Sequence, residues 1–282
     1  MMQKIIWISS YPKSGNTWIM FLIANYFFNI ERKDNFEIVN KNIIKFPPAS
    51  LIKKFTTKKE LIENPYNISK YWLKAQEQAK INKGNVMFLK NHNALVSVNG
   101  NEFTNENFSL ASIYIIRDPR DVVVSYAHYS NLAFDKVIQN LCDKNLYYNL
   151  TDYHDFPDIE ILGSWKFHYI SWRDGVPNMP KIIVRYEDLI KDSYSCFYKI
   201  INFLSKILNF KLDEEQIKFS VENSKFEKLQ NNENKFGYIK NNSNTNFFHS
   251  GKIQQWKNIL NKSQIKTIEN KFKEEMELLG YL

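Results

Sequence analysis

The chain has 282 residues, a net charge of +8, 44% hydrophobic and 15% aromatic content. That length suits one α/β domain or two small ones, with enough apolar material for a sizeable core. Two cysteines, Cys142 and Cys196, lack metal or redox spacing. They exclude a disulfide scaffold and point to free thiols in a reducing compartment. No uninterrupted apolar run reaches membrane-spanning length, and the chain enters its first strand with no room for a signal peptide, so a soluble, cytoplasmic protein is expected. The basic balance favours anionic partners by steering. Its lysines are scattered, with no Arg-rich block or nucleic-acid motif, so no nucleic-acid partner is expected.

In chain order, Ile5 to Phe28 is the first informative stretch. The β-prone run Ile5-Ile6-Trp7-Ile8 is followed by a polar turn, Ser9 to Thr17, and then by an apolar run suited to a buried helix. A loop entering a helix leaves backbone N–H groups unpaired, and the aligned peptide dipoles add partial positive charge. Lys13 brings a full charge, Ser14, Asn16 and Thr17 bring side-chain donors, and Gly15 lets an anion approach the backbone. Capping alone needs one such donor; this density predicts a phosphate site. The nucleotide-triphosphate pattern GxxxxGK[ST] is absent, because no glycine precedes Lys13. YPKSGNTW instead resembles the 5′-phosphosulfate loop of the sulfotransferases that use 3′-phosphoadenosine 5′-phosphosulfate (PAPS), usually YPKSGTTW, with Asn16 the one departure. The resemblance implies that Lys13, Ser14, Gly15, Asn16, Thr17 and Trp18 hold the cofactor.

Residues 31 to 83 are polar and Lys/Asn-rich, broken by Pro47-Pro48 and Pro65, and read as short helices with loops, one near Ser69 to Ile81. Phe46, Phe55, Tyr66, Tyr71 and Trp72 are candidates to line an acceptor pocket. Val86 to Leu89 reads as a second strand that ends in Lys90-Asn91-His92-Asn93. Ligands of open α/β sheets bind beyond the carboxyl ends of strands, where a histidine can serve as general base. KNHNA resembles the family's KTHLP-like segment, which implies His92 as catalytic base and Lys90 as its assistant.

Ile113 to Ile116 reads as a third strand, followed by the turn Arg117-Asp118-Pro119-Arg120 and a helix opened by Asp121. A guanidinium at a strand end can grip a phosphate, or else pair with Asp118 or Asp121. RDPRDVVVSY resembles the family's 3′-phosphate motif. It implies that Arg117 and Ser125 hold that phosphate, that Ser125 restrains Lys13 until the acceptor arrives, and that Arg120 and Asp121 are structural. Residues 128 to 161 turn irregular and aromatic and read as a mobile lid or acceptor loop. His154 and His168 are alternative bases, although Gly163-Ser164-Trp165…Trp172 resembles a structural helix of bacterial members.

Lys181 to Val184 reads as a fourth strand, closed by VRYEDL. This resembles the family's YEDL signature and implies that Tyr186 contacts adenine and Glu187 supports the phosphosulfate loop. Ser195 to Leu208 and Asp213 to Gln230 read as helices. By resemblance Ser224 and Phe226 hold the adenine. Residues 231 to 246 read as a flexible flap. His249-Ser250-Gly251-Lys252 resembles the family's basic segment over the 3′-phosphate, with His249 and Ser250 where Arg and Lys are usual.

The resemblance spans the chain. It implies an α/β, three-layer P-loop-like fold with a central parallel sheet flanked by helices, and a single domain over 1–282. It further implies sulfuryl transfer from PAPS to a small-molecule acceptor without a metal. A P-loop kinase and a non-catalytic nucleotide-binding protein remain the alternatives. The acceptor class and oligomeric state are not legible; the family's KxxxTVxxxE dimer segment is lost, with Asn261-Lys262 and Lys266 in place of its Thr-Val and Glu.

Overall fold

A computed structural model describes residues 3–28, 35–79, 84–149, 156–236, 248 and 250–282. Nine strands are described: β1 (Lys4–Ser10), β2 (Ile43–Phe46), β3 (Val86–Asn91), β4 (Ser97–Val98), β5 (Asn101–Glu102), β6 (Ser109–Ile116), β7 (Tyr147–Asn149), β8 (Ile159–Ile161) and β9 (Lys181–Arg185). Five form the central sheet, in the order β2-β3-β1-β6-β9. β1 and β2 both run parallel to β3, with Lys4 opposite Val86 and Ile43 opposite Phe88. β2 and β3 are sequential neighbours, whereas β1 lies between β3 and β6, and parallel neighbours are joined by crossover connections. The sheet is flanked by helices.

The chain forms two compact units, each assembled from three segments: 1–11, 40–114 and 143–183 in the first, 12–39, 115–142 and 184–282 in the second. The chain crosses between them five times: after β1, within the helix Asn35–Asn42, near the end of β6, at the end of the helix Phe134–Cys142 and within β9.

In the first unit, Ile5 to Ile8 are fully buried, as a continuous apolar run in a parallel strand should be. Trp7 packs edge-on to Phe46, ring centres 5.3 Å apart, and its indole N–H donates to the Ser109 hydroxyl at 2.7 Å. Phe103 extends the cluster to Trp72 at 5.2 Å. Phe46 and Trp72 therefore belong to the core and not to an acceptor pocket; both are fully buried. β4 and β5 close through Asn99-Gly100, both at positive φ, as a two-residue hairpin requires.

In the second unit, the helix Asn16–Phe27 buries Phe21 and packs on the helix Glu214–Asn223, as in the contact of Asn25 with Ser224. Phe21 meets Phe248, which meets Phe226. The helix Pro119–Ser130 begins two residues before the expected Asp121: Pro119 lies in its first turn and Asp118 accepts from the Arg120 N–H at 2.9 Å.

Four further expectations change. β2 was unforeseen, because four residues carry too little periodicity to mark a strand. Residues 128–161 are more regular than an irregular lid: Phe134–Cys142 is a helix with Val137, Ile138 and Leu141 buried, and β7 pairs antiparallel with β8. The stretch 213–230 is two helices, Glu214–Asn223 and Phe226–Phe236, parted where Ser224 ends the first. The second carries regular structure into the expected flap; the rest of that flap, 237–246, lies outside the described residues.

Candidate functional site

Each unit contributes its own set of predicted residues. In the second, the loop after β1 takes two left-handed residues, Lys13 at φ 67° and Gly15 at φ 104°. Gly15 caps the helix Asn16–Phe27 with no side-chain hydrogen bond. The Gly15 carbonyl takes the Trp18 N–H at 3.0 Å, so the turn closes on backbone alone. A Cβ on Gly15 would stand 2.5 Å from the Tyr186 ring, so glycine is required by both conformation and space. Tyr186 lies edge-on to Trp18 at 5.9 Å and carries the Arg117 guanidinium 4.4 Å above its ring centre.

Arg117 is 5% exposed and forms no ion pair with Asp118 or Asp121. Its Nη1 donates to the Lys13 carbonyl at 3.1 Å and its Nη2 to the Lys252 carbonyl at 3.0 Å, tying the phosphate loop to the 250–252 segment. Its Nε has no hydrogen-bond partner among the described residues, nor have the buried Ser14 hydroxyl and the Trp18 indole N–H. Buried donors left unpaired cost free energy. An anion with several acceptor oxygens satisfies them.

The flanking residues are structural. Asp118 pairs with Arg120 at 2.7 Å, and Arg120 also bonds Glu269 and stacks 3.8 Å from the Trp256 ring centre. Asp121 accepts from the Gln254 and Trp256 N–H groups, at 2.6 and 3.2 Å. It thereby anchors the segment that follows Lys252. Glu187 accepts from the Asp118 N–H at 3.0 Å and from the Tyr281 hydroxyl at 3.0 Å. Its bonds therefore brace the Arg117 turn, whereas the resemblance assigns it to the 13–17 loop. Burial raises the Glu187 pKa.

Ser125 lies in the second turn of Pro119–Ser130, half-buried. One turn on, Tyr129 places its ring centre 4.1 Å from the Lys13 ammonium. Sequence reading missed this contact, although helical spacing puts 125 and 129 on one face. Ser224 is fully buried and accepts from Asn25 at 2.9 Å. Phe226 lies beneath Gly251, whose added Cβ would come within 2.6 Å of the ring. Ser250 is half-buried, and Lys252 contributes its carbonyl while its side chain is exposed. His249 lies outside the described residues.

The first unit carries the candidate base. His92 follows β3 directly, half-buried. Its Nδ1–H donates to the Ser10 carbonyl at 2.8 Å, leaving Nε2 as the basic nitrogen. His168 is fully buried; its Nε2–H donates to the His92 carbonyl at 2.9 Å, and its Nδ1 accepts from the Tyr114 hydroxyl at 2.9 Å. Burial lowers its pKa to about 3, which makes it a neutral support beneath the His92 turn and not a second base. His154 lies outside the described residues.

Lys90 sits two residues before His92, opposite Lys45 in the β2–β3 register. Burial, then the neighbouring Lys45 charge, lowers its pKa to about 8. Lys45 is paired with Asp158 at 2.6 Å and approaches Glu160 at 3.5 Å. Burial opposes its charge, but the two carboxylates outweigh this and raise its pKa. Sequence reading missed this cluster, since its members are far apart in the chain and carry no motif.

A family model described as Sulfotransferase domain matches residues 3–280. The chain is 23% identical to the amine sulfotransferase of Oryctolagus cuniculus, over 96% of this chain and 80% of that protein. It is 27% identical to the luciferin sulfotransferase of Photinus pyralis, over 80% of this chain and 56% of that protein. Among solved structures, retinol dehydratase in complex with androsterone and inactive cofactor PAP superposes with a TM-score of 0.63 at 21% identity, covering 96% of this chain and 80% of that one. A mouse sulfotransferase complexed with PAP gives 0.61 at 19% identity, covering 97% and 85%. At such identities the structural likeness carries the fold, and the match along the sequence carries the family. The chain belongs to the sulfotransferase family.

Proposed function

We propose that this enzyme transfers the sulfuryl group of PAPS to a hydroxyl or amine of a small-molecule acceptor by in-line displacement. The observation that carries the reading is the set of buried, unsatisfied donors, Ser14 hydroxyl, Arg117 Nε and Trp18 N–H, beside a glycine-capped helix start. PAPS supplies the activated sulfuryl group and carries away the leaving charge as PAP. Ser14, Gly15, Asn16 and Thr17 offer hydrogen bonds to the 5′ side, and Lys13 offers its ammonium to charge developing on the bridging oxygen. Arg117 and Ser125 take the 3′-phosphate, with Ser250, Gly251, Lys252 and His249 closing over it. Tyr186, Trp18, Ser224 and Phe226 line the adenine.

His92 Nε2 removes the acceptor's proton as the new oxygen–sulfur or nitrogen–sulfur bond forms, a role supported by the Nδ1–H bond that fixes the ring. Lys90 assists at the sulfuryl oxygens, its lowered pKa leaving it only partly charged above neutrality. The transferred group carries less charge than a phosphoryl, so lysine and amides suffice.

The test is incubation with sulfur-labelled PAPS and a panel of phenols, alcohols and amines. Label should pass to at least one acceptor without added magnesium. Tight binding of PAP with no acceptor ever labelled would leave a binding protein and end the enzyme reading.

A further inference from the structure

Asp158 immediately precedes β8 and Glu160 lies within it, either side of Ile159, and extended residues two apart share a face. They meet Lys45, whose register partner on β3 is Lys90. β8 is also fastened to the turn that carries His92. Ala94 N–H donates to the Ile161 carbonyl at 2.8 Å, and Ile161 N–H donates to the Asn93 side chain at 2.8 Å. Two carboxylates and two lysines therefore converge beside the proposed base, all within the first unit.

The cluster is not internally satisfied. Lys45 gives its close contact to Asp158 at 2.6 Å, whereas Glu160 Oε2 stands at 3.5 Å, the limit of a hydrogen bond. Glu160 is only 2% exposed, and its Oε1 has no hydrogen-bond partner among the described residues. A closed structural ion-pair network would fill that oxygen, because leaving a buried carboxylate half-solvated is costly.

We propose that Glu160, supported by Asp158 and Lys45, is a specificity-determining residue that recognises an ammonium group on the acceptor. The preferred substrates are then compounds with a reactive hydroxyl and a separate cationic amine. This rests on the sulfotransferase reading above, since it assigns Lys90 and His92 to the reaction. Glu160 takes the acceptor's ammonium on Oε1, while Lys45 keeps the carboxylate pair ionised and fixed. An amine so held sets the distance between its own nitrogen and the hydroxyl presented to His92.

Matched acceptors test it: tyramine against 4-ethylphenol, and 6-amino-1-hexanol against 1-hexanol, each assayed with PAPS. The unmodified enzyme should favour the amine of at least one pair by about tenfold or more in kcat/KM. Glu160→Gln should remove most of that preference, chiefly by raising KM for the amine, the neutral partner moving less. Calorimetric titration of the same four compounds into the protein, with and without PAP, reads the preference without turnover. A ratio near one for both pairs in the unmodified protein overturns the proposal, as does a preference that Glu160→Gln leaves unmoved. Asp158→Asn provides a second variant should Glu160→Gln fold poorly, and the unmodified comparison needs neither. Neutral acceptors sulfated as well as amines would sink the ammonium site while leaving the sulfotransferase reading intact. Absence of PAP binding and of any sulfation would sink that reading, and amine binding would still decide for or against Glu160.

Discussion

At the residue scale, two histidines on one hydrogen-bonded chain have opposite characters because of burial. His92 is half-buried with Nδ1–H fixed on Ser10, so its Nε2 is available for proton transfer. His92→Ala should cut turnover by about a hundredfold or more, with PAP affinity nearly unchanged. Unaltered turnover, measured with saturating PAPS, would remove His92 from the mechanism. His168 is enclosed, and its pKa falls from the ordinary 6.5 to about 3. As pH drops through 6.5 the unfolded chain takes up a proton that the folded state refuses until about 3, so stability present above 6.5 is lost through that window. At about 1.4 kcal/mol per pH unit, the whole window is worth about 4 to 5 kcal/mol. His168→Gln can still donate to the His92 carbonyl and accept from Tyr114. It should lower stability at pH 7 yet flatten its decline between pH 6.5 and 4, as read from urea midpoints; parallel curves for both proteins would contradict the assignment.

At the scale of elements, the loop after β1 shows what one glycine contributes. At φ 104° and with Tyr186 2.5 Å from a prospective Cβ, Gly15→Ala incurs both backbone strain and a clash. Gly100, at φ 79° with nothing within 4 Å, incurs strain alone. Gly15→Ala should weaken PAP binding by about tenfold or more, because displacing the ring disturbs Arg117 above it. Gly100→Ala should cost about 1 to 2 kcal/mol of stability and leave binding alone. Equal effects of the two on PAP titration would show that the loop does not bind it.

The same loop explains what was legible beforehand. Strands β1, β3, β6 and β9 announced themselves because buried parallel strands are continuous apolar runs, and each ends in residues whose chemistry is local. β2 and the helix Phe134–Cys142 did not, being short or embedded in a polar context. The site divides likewise. Lys13 to Thr17 could be read from residue types at a helix start, and Trp18, Arg117 and Tyr186 from the resemblance of their motifs, whereas Tyr129 over Lys13 and the Lys45–Asp158–Glu160 cluster exist only through tertiary packing. Arg117 was the ambiguous case. Its hydrogen bonds go to carbonyls and not to the nearby acids, because Asp118 is already engaged by Arg120 and Asp121 by backbone N–H groups.

At the scale of the whole molecule, 38 basic against 30 acidic side chains leave a net charge of +8. The proposed cofactor carries phosphate charge at both ends, so the excess should draw it in before any contact forms. Screening lengths fall from about 30 Å at 0.01 M salt to about 3 Å at 1 M. Long-range attraction is therefore lost with salt, while the buried contacts of Arg117 and Ser14, both nearly inaccessible to water, are screened far less. The association rate of PAP, followed in stopped flow by fluorescence of Trp18 beside the loop, should drop by about tenfold between 0.02 and 0.5 M salt. The dissociation rate should change by much less. Arg117→Ala should behave in the opposite way, accelerating dissociation by about one to two orders of magnitude for a lost charge-assisted bond of roughly 1.5–3 kcal/mol, with a modest change in association. The acceleration should disappear for the analogue lacking the 3′-phosphate, since only that group is assigned to Arg117. If both ligands leave the unmodified protein at the same rate, Arg117 does not hold the 3′-phosphate.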